Sequence, residues 1–285
     1  MLGRSRALRR TALVALLLLP VSLVNCVGFL APVVNLLSFS FREVQASGAM
    51  TGGSSFASWL SVATDPYYIE LLVNSVVVSL EITVLTLLAS YPIALYVHRS
   101  RGSWRTFLMM LCVTPLLTSA VVRTYGWIVL LLDDGVVNHA LIAAGLPGPF
   151  RLVYNVTGVI TGLVEILMPY MILSLLAGFG KLDARVEEAA LSLGATPLRS
   201  FVFVVLPLSM PGIALGSLLC FVIAISSFIT PKLLGGGRVF LLATEIYDQA
   251  MVTLNWPLAS SLSILILLIF GAALLLYSRA MKAIG

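Results

Sequence analysis

Apolar residues gather into six long stretches, roughly 11–34, 71–97, 107–131, 156–178, 208–230 and 258–278, with polar segments between them. A hydrocarbon core about 30 Å thick is crossed by about 20 apolar helical residues, so every stretch is long enough to span it. The pattern predicts an all-α polytopic membrane protein with six transmembrane helices. Arg4, Arg6, Arg9 and Arg10 precede ALVALLLLPVSLV in the manner of a secretory leader. Apolar sequence nevertheless continues to Val34 without a clear A-x-A cleavage site, so the segment is read as a retained helix.

Basic residues orient the spans. With the N-terminus inside, the inner segments hold Arg4, Arg6, Arg9, Arg10, Arg99, Arg101, Arg105, Lys181, Arg185, Arg199, Arg279 and Lys282, twelve of the seventeen Lys and Arg residues. The positive-inside rule then predicts a multi-pass membrane protein with both termini cytoplasmic. Trp127 and Trp256 fall near the outer interface and Trp104 near the inner one, as amphipathic rings prefer. The polar segments 35–70 and 132–155 lack the length and pattern of separate domains, and the Gly/Ser cluster 47–55 reads as a flexible loop. One membrane domain, residues 1–285, is expected, with its core at about 71–278.

Composition agrees and narrows the classes. Of 285 residues, 60% are hydrophobic and only 10% charged, against about 25% charged in soluble domains. A mean hydropathy of +1.07 excludes an ordinary water-soluble enzyme. The net charge of +5 is scattered in short clusters between apolar runs, which argues for topology over nucleic acid. Cys26, Cys112 and Cys220 all lie in apolar stretches, and His98 and His139 fall on opposite sides, so neither a metal site nor a catalytic constellation is indicated.

Charges within the bilayer mark functional candidates. Glu81 and Glu165 each lie nine or ten residues from the outer end of a span, which at about 1.5 Å per residue puts both roughly 15 Å deep. Arg123 sits in the third span. Thr157, Thr161 and Glu165 form an i, i+4, i+8 stripe ending before Pro169. In the second span Ser75, Ser79, Thr83, Thr86 and Ser90 make one stripe, with Asn74 and Glu81 nearly opposite. One side should pack on neighbouring helices and the other meet a pathway, where Glu81 and Glu165 favour a cation. The alternative is that a glutamate pairs with Arg123 as structural glue. Gly158-x-x-x-Gly162 and Gly212-x-x-x-Gly216 are small-xxx-small packing patterns.

Between the fourth and fifth spans runs KLDARVEEAALSLGATPLRSFVFVVLPLSMPG. Asp183 is placed to cap a short helix over 185–193, Gly194 to end it, and Thr196-Pro197 to start a second. The result is a helix–bend–helix knob in which Ala189 and Ala190 permit close approach, Glu187 and Glu188 supply charge, and Pro207 and Pro211 set the return to the membrane.

Glu188-Ala189-Ala190, three residues, Gly194, nine residues, then Val204-x-Leu206-Pro207 resembles the EAA loop of ATP-binding cassette importer permeases. Val204 stands where that family usually has isoleucine. The resemblance runs from Asn74 to about Leu267 through NSVVVSLEITVLTLLASYPIALYV, VVRTYGWIVLLLDDGVVNHAL, the loop itself and NWPLASSLSILILL, and it is nearest to the spermidine/putrescine-type permeases. It implies the type I importer fold, one peripheral N-terminal helix plus a five-helix core. It also implies a coupling loop over 181–207 whose Glu187, Glu188, Ala189, Ala190, Gly194, Thr196, Pro197, Val204, Leu206 and Pro207 engage a cytoplasmic ATPase. The implied partners are a second, homologous but different permease, two ATPases that bind the ATP and Mg, and a periplasmic or lipid-anchored binding protein. The implied solute is polyamine-like or another small cationic or organic compound, although permeases for ferric iron, thiamine, sulfate and opine-like compounds share the loop. The chain has no Gly-Lys-Ser/Thr phosphate loop, and Gly235-Gly236-Gly237-Arg238 reads as a turn. An ion-coupled secondary transporter using Glu81 and Glu165 as a relay is the alternative class.

Overall fold

Helix follows helix from the first residues on, as the apolar stretches require. The computed structural model describes the backbone of residues 2–44 and 50–284 and the side chains of 17–43, 53–180, 182–183 and 185–282. Much of the Gly/Ser cluster, the four N-terminal arginine side chains and that of Lys181 lie outside the described residues. The elements are α1 (Leu2–Ser40), a hairpin of β1 (Arg42–Val44) and β2 (Met50–Ser54), α2 (Ala57–Thr64), α3 (Pro66–Arg99), α4 (Gly102–Val113), α5 (Ala120–Leu131) and α6 (Val136–Ala143). They continue with α7 (Val156–Gly178), α8 (Ala184–Ser192), α9 (Pro197–Ser200), α10 (Leu206–Ser226), α11 (Ile229–Leu234), α12 (Leu242–Met251) and α13 (Trp256–Ile284). Among the described residues, six segments are long and apolar enough to cross a membrane: Leu17–Ser40, Pro66–Arg99, Ala120–Ala143, Val156–Gly178, Pro197–Ser226 and Trp256–Lys282.

Five of these follow the expected stretches; the third does not. The reading of one helix over 107–131 fails because α4 ends at Val113, a 3₁₀ turn covers Thr114–Leu117, and α5 begins at Ala120. Pro115 has no N–H to offer the Leu111 carbonyl four residues back, and the Thr114 hydroxyl joins its own N–H on the Met110 carbonyl, at 2.7 Å. Thr118 is extended, and the membrane-length segment starts afresh after Ser119. Within 35–70, α1 reaches Ser40, β1, β2 and α2 follow among the described residues, and Asp65 caps α3 by accepting the Tyr67 N–H at 2.9 Å.

α7 is the axis of the bundle. Val159, Leu163, Leu167, Met171 and Leu175 are fully buried along it between α3 and α10. The α7–α10 crossing is made at the backbone: a Cβ on Gly178 would lie 2.5 Å from Gly212 Cα, and one on Gly212 would lie 2.9 Å from the Ser174 carbonyl oxygen. Close approach through small residues is how helices associate without a hydrophobic drive from lipid. α3 buries the predicted hydroxyl stripe of Ser75, Ser79, Thr83, Thr86 and Ser90. Ser75 Oγ donates to the Leu71 carbonyl at 2.7 Å and accepts the Leu242 N–H at 2.8 Å, tying α3 to α12. α1 is peripheral as expected, exposed along its described apolar length and resting on α13.

Candidate functional site

Residues 98–101 and 182–205 share one end of the bundle, and the polar loop between α7 and α10 forms a knob there. Asp183 Oδ1 accepts the Arg185 N–H at 3.0 Å and starts α8. At its far end Leu193, Gly194 and Ala195 donate to the carbonyls of Ala189, Leu191 and Ala190 at 3.0, 3.0 and 3.1 Å. Gly194 has φ +88°, a left-handed conformation that a side chain resists, and there the chain reverses. Thr196 Oγ1 then accepts the Arg199 N–H at 3.3 Å, with Pro197 as the first residue of α9. The helix–bend–helix expected from the residues is therefore the one observed.

α9 does not stop before the membrane. It runs through a π turn, Phe201–Val205, directly into α10, with the Leu206 N–H bonded back to Phe201 O. The cause is Pro207, which cannot donate to Phe203 and whose ring would strike that carbonyl in a regular α turn. Widening by one residue removes the conflict. Leu206 and Pro207 thus join the knob rigidly to a membrane helix, while Val204 is half-buried in the widened turn.

Two struts hold the root of the knob. Arg99 Nη2, at the end of α3, donates to both Glu187 oxygens at 2.7 and 3.0 Å, and His98 Nε2 lies 3.1 Å from the Leu182 carbonyl oxygen. Tyr91 packs edge-on against Phe179 and Phe201, both at 5.8 Å, and shares a 3.0 Å hydrogen bond with Ser209. Glu187 is thus engaged within the chain, whereas Glu188 and Ala189 are exposed and Ala190 is half-buried. The bend also presents bare apolar surface: Leu193 is 89% exposed and Leu198 72%.

A second polar cluster lies inside the bundle. Arg123 Nη1 on α5 is 3.5 Å from Glu165 Oε1 on α7, and Trp127 Nε1 donates to Glu165 Oε2 at 3.2 Å. Glu165 therefore has the arginine counter-ion that the alternative reading anticipated. The side chains are 13% and 31% exposed for Arg123 and Glu165, and Arg123 Nε is buried without a hydrogen-bond partner. Trp127, on α5, turns its indole N–H to the carboxylate of Glu165, a contact that its expected place near the outer interface did not foretell.

The remaining pathway candidates are not brought to this cluster. Glu81 is exposed on α3, across from the buried hydroxyl stripe. Thr161 bonds the Thr157 carbonyl at 2.9 Å on α7. Asn74 lines a cavity of about 390 Å³ with Tyr67, Glu70 and Arg238, at the end of the bundle opposite the knob. Behind that cavity lies a group the sequence did not single out: buried Glu245 accepts from Tyr67 Oη and Gln249 Nε2, both at 2.8 Å. Lys232 nearby donates to both oxygens of Asp248, at 2.5 and 2.7 Å. The Tyr67–Glu245 bond joins positions 178 residues apart, and only an acidic residue in the first turn of α12 hinted at it.

Six apolar spans, with α7 between α3 and α10 and a capped knob at one end, define a polytopic all-α membrane protein of the importer-permease architecture. Residues 87–284 match the binding-protein-dependent transport system inner membrane component family, and the chain belongs to it: it is a transmembrane permease subunit of an ABC importer. It is 37% identical to the spermidine/putrescine transport system permease protein PotB of Haemophilus influenzae over 222 residues, 78% of each chain. It is 34% identical to PotB of Escherichia coli K12 over 222 residues, covering 78% of this chain and 81% of that one. The fold is similar to a chain of the bacterial alginate ABC transporter solved with its alginate pentasaccharide-bound periplasmic protein. There the TM-score is 0.71 and the identity 19%, over 98% of this chain and 97% of that one.

Proposed function

We propose that this chain forms half of the transmembrane pathway of an ATP-driven, binding-protein-dependent importer for a small cationic solute of the polyamine class. The observation that carries the coupling role is the exposed apolar lip of Leu193 and Leu198 beside Glu188 and Ala189, on a knob braced from behind by Arg99. Exposed apolar surface ringed by charge is what a docking protein covers. In this reading both termini and the knob are cytoplasmic, residues 1–285 act as one membrane domain, and a homologous second permease completes the pathway. Two ATPases grip the two knobs and hold the ATP and Mg, and a periplasmic or lipid-anchored binding protein delivers solute at the other face.

The mechanics follow from the connections. Closure of the ATPases displaces α8; the continuous α9–π turn–α10 rod carries the motion into the membrane, and the Arg99–Glu187 link carries it to α3. Those two helices flank α7, so the displacement reaches the level of Glu165. The relatives named for spermidine and putrescine support a polycation, and the chemistry agrees: an ammonium entering the pathway exchanges with Arg123 at Glu165 or meets Glu81. A pair stretched to 3.5 Å with a partly exposed carboxylate gives up its partner at less cost than a tight, dry one.

The assembly purified with its ATPase and reconstituted with binding protein tests both parts. Spermidine or putrescine should stimulate ATP hydrolysis where sulfate and ferric chelates do not, and Glu188→Lys should abolish the stimulation. Glu81→Gln and Glu165→Gln should each lower polyamine uptake at normal expression. Unchanged uptake in both removes the cation pathway, and uptake without nucleotide favours an ion-coupled carrier.

A further inference from the structure

At the knob end, a cavity of about 420 Å³ lies between the last turn of α3, the first turn of α4 and α8. Arg99, Arg101, Arg105, Glu187 and Glu188 carry its charge, and His98 lines it beside them. Part of this lining is already committed: Arg99 is spent on Glu187, and His98 is tied to the Leu182 carbonyl. Arg101 and Arg105 remain, and among the described residues neither has an ion-pair partner. Arg101 is the extended residue that leads into α4 and Arg105 lies in its first turn, and both line the cavity. Glu188 lies across the cavity on the α8 side, so an anion in this space is drawn to the α4 wall.

The surroundings indicate which anion. Trp104, in the same turn as the two arginines, stacks on Phe107 at 5.4 Å and donates to Tyr96 Oη at 3.4 Å. Both Trp104 and Tyr96 are exposed, the placement amphipathic rings take where hydrocarbon gives way to headgroups. Phe107 and Leu111 continue an exposed apolar face along α4 on which acyl chains can lie. A guanidinium pair at headgroup level beside an apolar helix face matches a phosphodiester with two chains attached.

We propose that this cavity binds the phosphate of an anionic phospholipid, held by Arg101 and Arg105 against the wall formed by α8. Basic pockets between membrane helices on the cytoplasmic side take such headgroups. The bound lipid wedges α4 from α8 and adds a contact beside the Arg99–Glu187 strut, so membrane composition sets the resting position of the knob. That regulatory consequence rests on the coupling role proposed above, whereas the binding does not.

The test reads binding directly. The assembly purified from membranes is placed in nanodiscs of phosphatidylcholine containing a photoactivatable phosphatidylglycerol, and labelled peptides are mapped. Labelling should fall on residues 96–107 or 182–191 and be competed by unlabelled phosphatidylglycerol but not by phosphatidylcholine, a result that needs no variant. In Arg101→Gln/Arg105→Gln it should drop by about 30-fold, the worth of two cations at a membrane surface. Arg279→Gln, an arginine on α13 outside the cavity, should leave it unchanged. Equal labelling in every variant, an equal loss in Arg279→Gln, or equal labelling by a phosphatidylcholine probe overturns the site. Displacement by millimolar inorganic phosphate overturns the lipid and assigns the cavity to soluble phosphate instead.

Discussion

The knob and the intramembrane cluster are built in opposite ways. The bonds that shape the bend of the knob are local, Asp183 to Arg185, Thr196 to Arg199 and Gly194 to Leu191, and only the struts from Arg99 and His98 at its root reach across the chain. Its shape is complete, yet its apolar lip faces outward with no cover among the described residues. The cluster joins Arg123 and Trp127 to Glu165 across 42 and 38 positions of sequence. Its charges are met inside the chain, but at a long 3.5 Å and with Arg123 Nε left unbonded. A part that is finished in shape and unfinished in surface suits an external partner. A part that is neutralised but loosely held suits exchange. The difference teaches that rigidity and readiness are placed at separate points along the same helices.

The largest effect tests the frame that connects the two regions. Gly212→Leu drives a side chain into Ser174 O and Gly178 Cα, which stand 2.9 and 3.0 Å from where its Cβ would sit. Both are backbone atoms of α7 and cannot turn aside, so the crossing must open, at a cost of about 3 kcal/mol. Thermal unfolding of the solubilised protein should show the loss, and both regions should fail together. If only transport falls while the melting temperature holds, the crossing is not the common frame.

Arg123→Leu comes next and separates the cluster from the knob. It leaves the Glu165 carboxylate without its counter-ion, which for a fully buried pair costs 3–5 kcal/mol. Since Glu165 is 31% exposed, about 2 kcal/mol is expected. Adding Glu165→Gln should restore most of it, and a double-mutant cycle measures that coupling. Binding of the ATPase to the purified chain should stay as in the wild type. A loss of ATPase binding would mean that the two regions are not separable.

The same contrast explains what could be read in advance. The knob was legible because caps, a left-handed glycine and an N-terminal proline act within a few residues. Five spans were legible because lipid demands an unbroken apolar run. The third span misled because its apolar content hides Pro115, whose missing N–H counts for more than the hydrophobicity around it. The hydroxyl stripe of α3 was legible from the helical period, but its partner, the Leu242 N–H, was not. The Glu165–Arg123–Trp127 contacts and the Tyr67–Glu245 bond depend on how α5, α7, α3 and α12 pack, which no local spacing encodes. Two glutamates at one depth and Arg123 in the third span suggested a pairing with the arginine without selecting Glu165 over Glu81.

Gly194→Val acts on the knob alone. A β-branched residue at φ +88° is strained by about 1–3 kcal/mol, and the strain is relieved by unwinding the end of α8 and not by unfolding the bundle. The melting temperature should move little, while transport and ATPase binding fall about tenfold, the equivalent of about 1.4 kcal/mol of misplacement. Full transport with this change would contradict the need for a fixed bend.

Glu187→Gln has the smallest expected effect and makes the sharpest distinction. The Arg99–Glu187 pair is short at 2.7 Å, but its side chains are 50% and 26% exposed. A pair so open to water contributes at most about 1 kcal/mol to stability. If the pair served stability alone, its removal would pass almost unnoticed. As a strut it does something else, because it is the direct link from α8 to α3. Its loss should leave folding and ATPase binding nearly intact while weakening the dependence of ATP hydrolysis on loaded binding protein. Arg99→Gln should give the same phenotype, and the charge-swapped pair Arg99→Glu/Glu187→Arg should recover part of the coupling. Equal uncoupling in the swapped pair would mean that each side chain acts through other contacts and that α10 alone carries the motion from the knob.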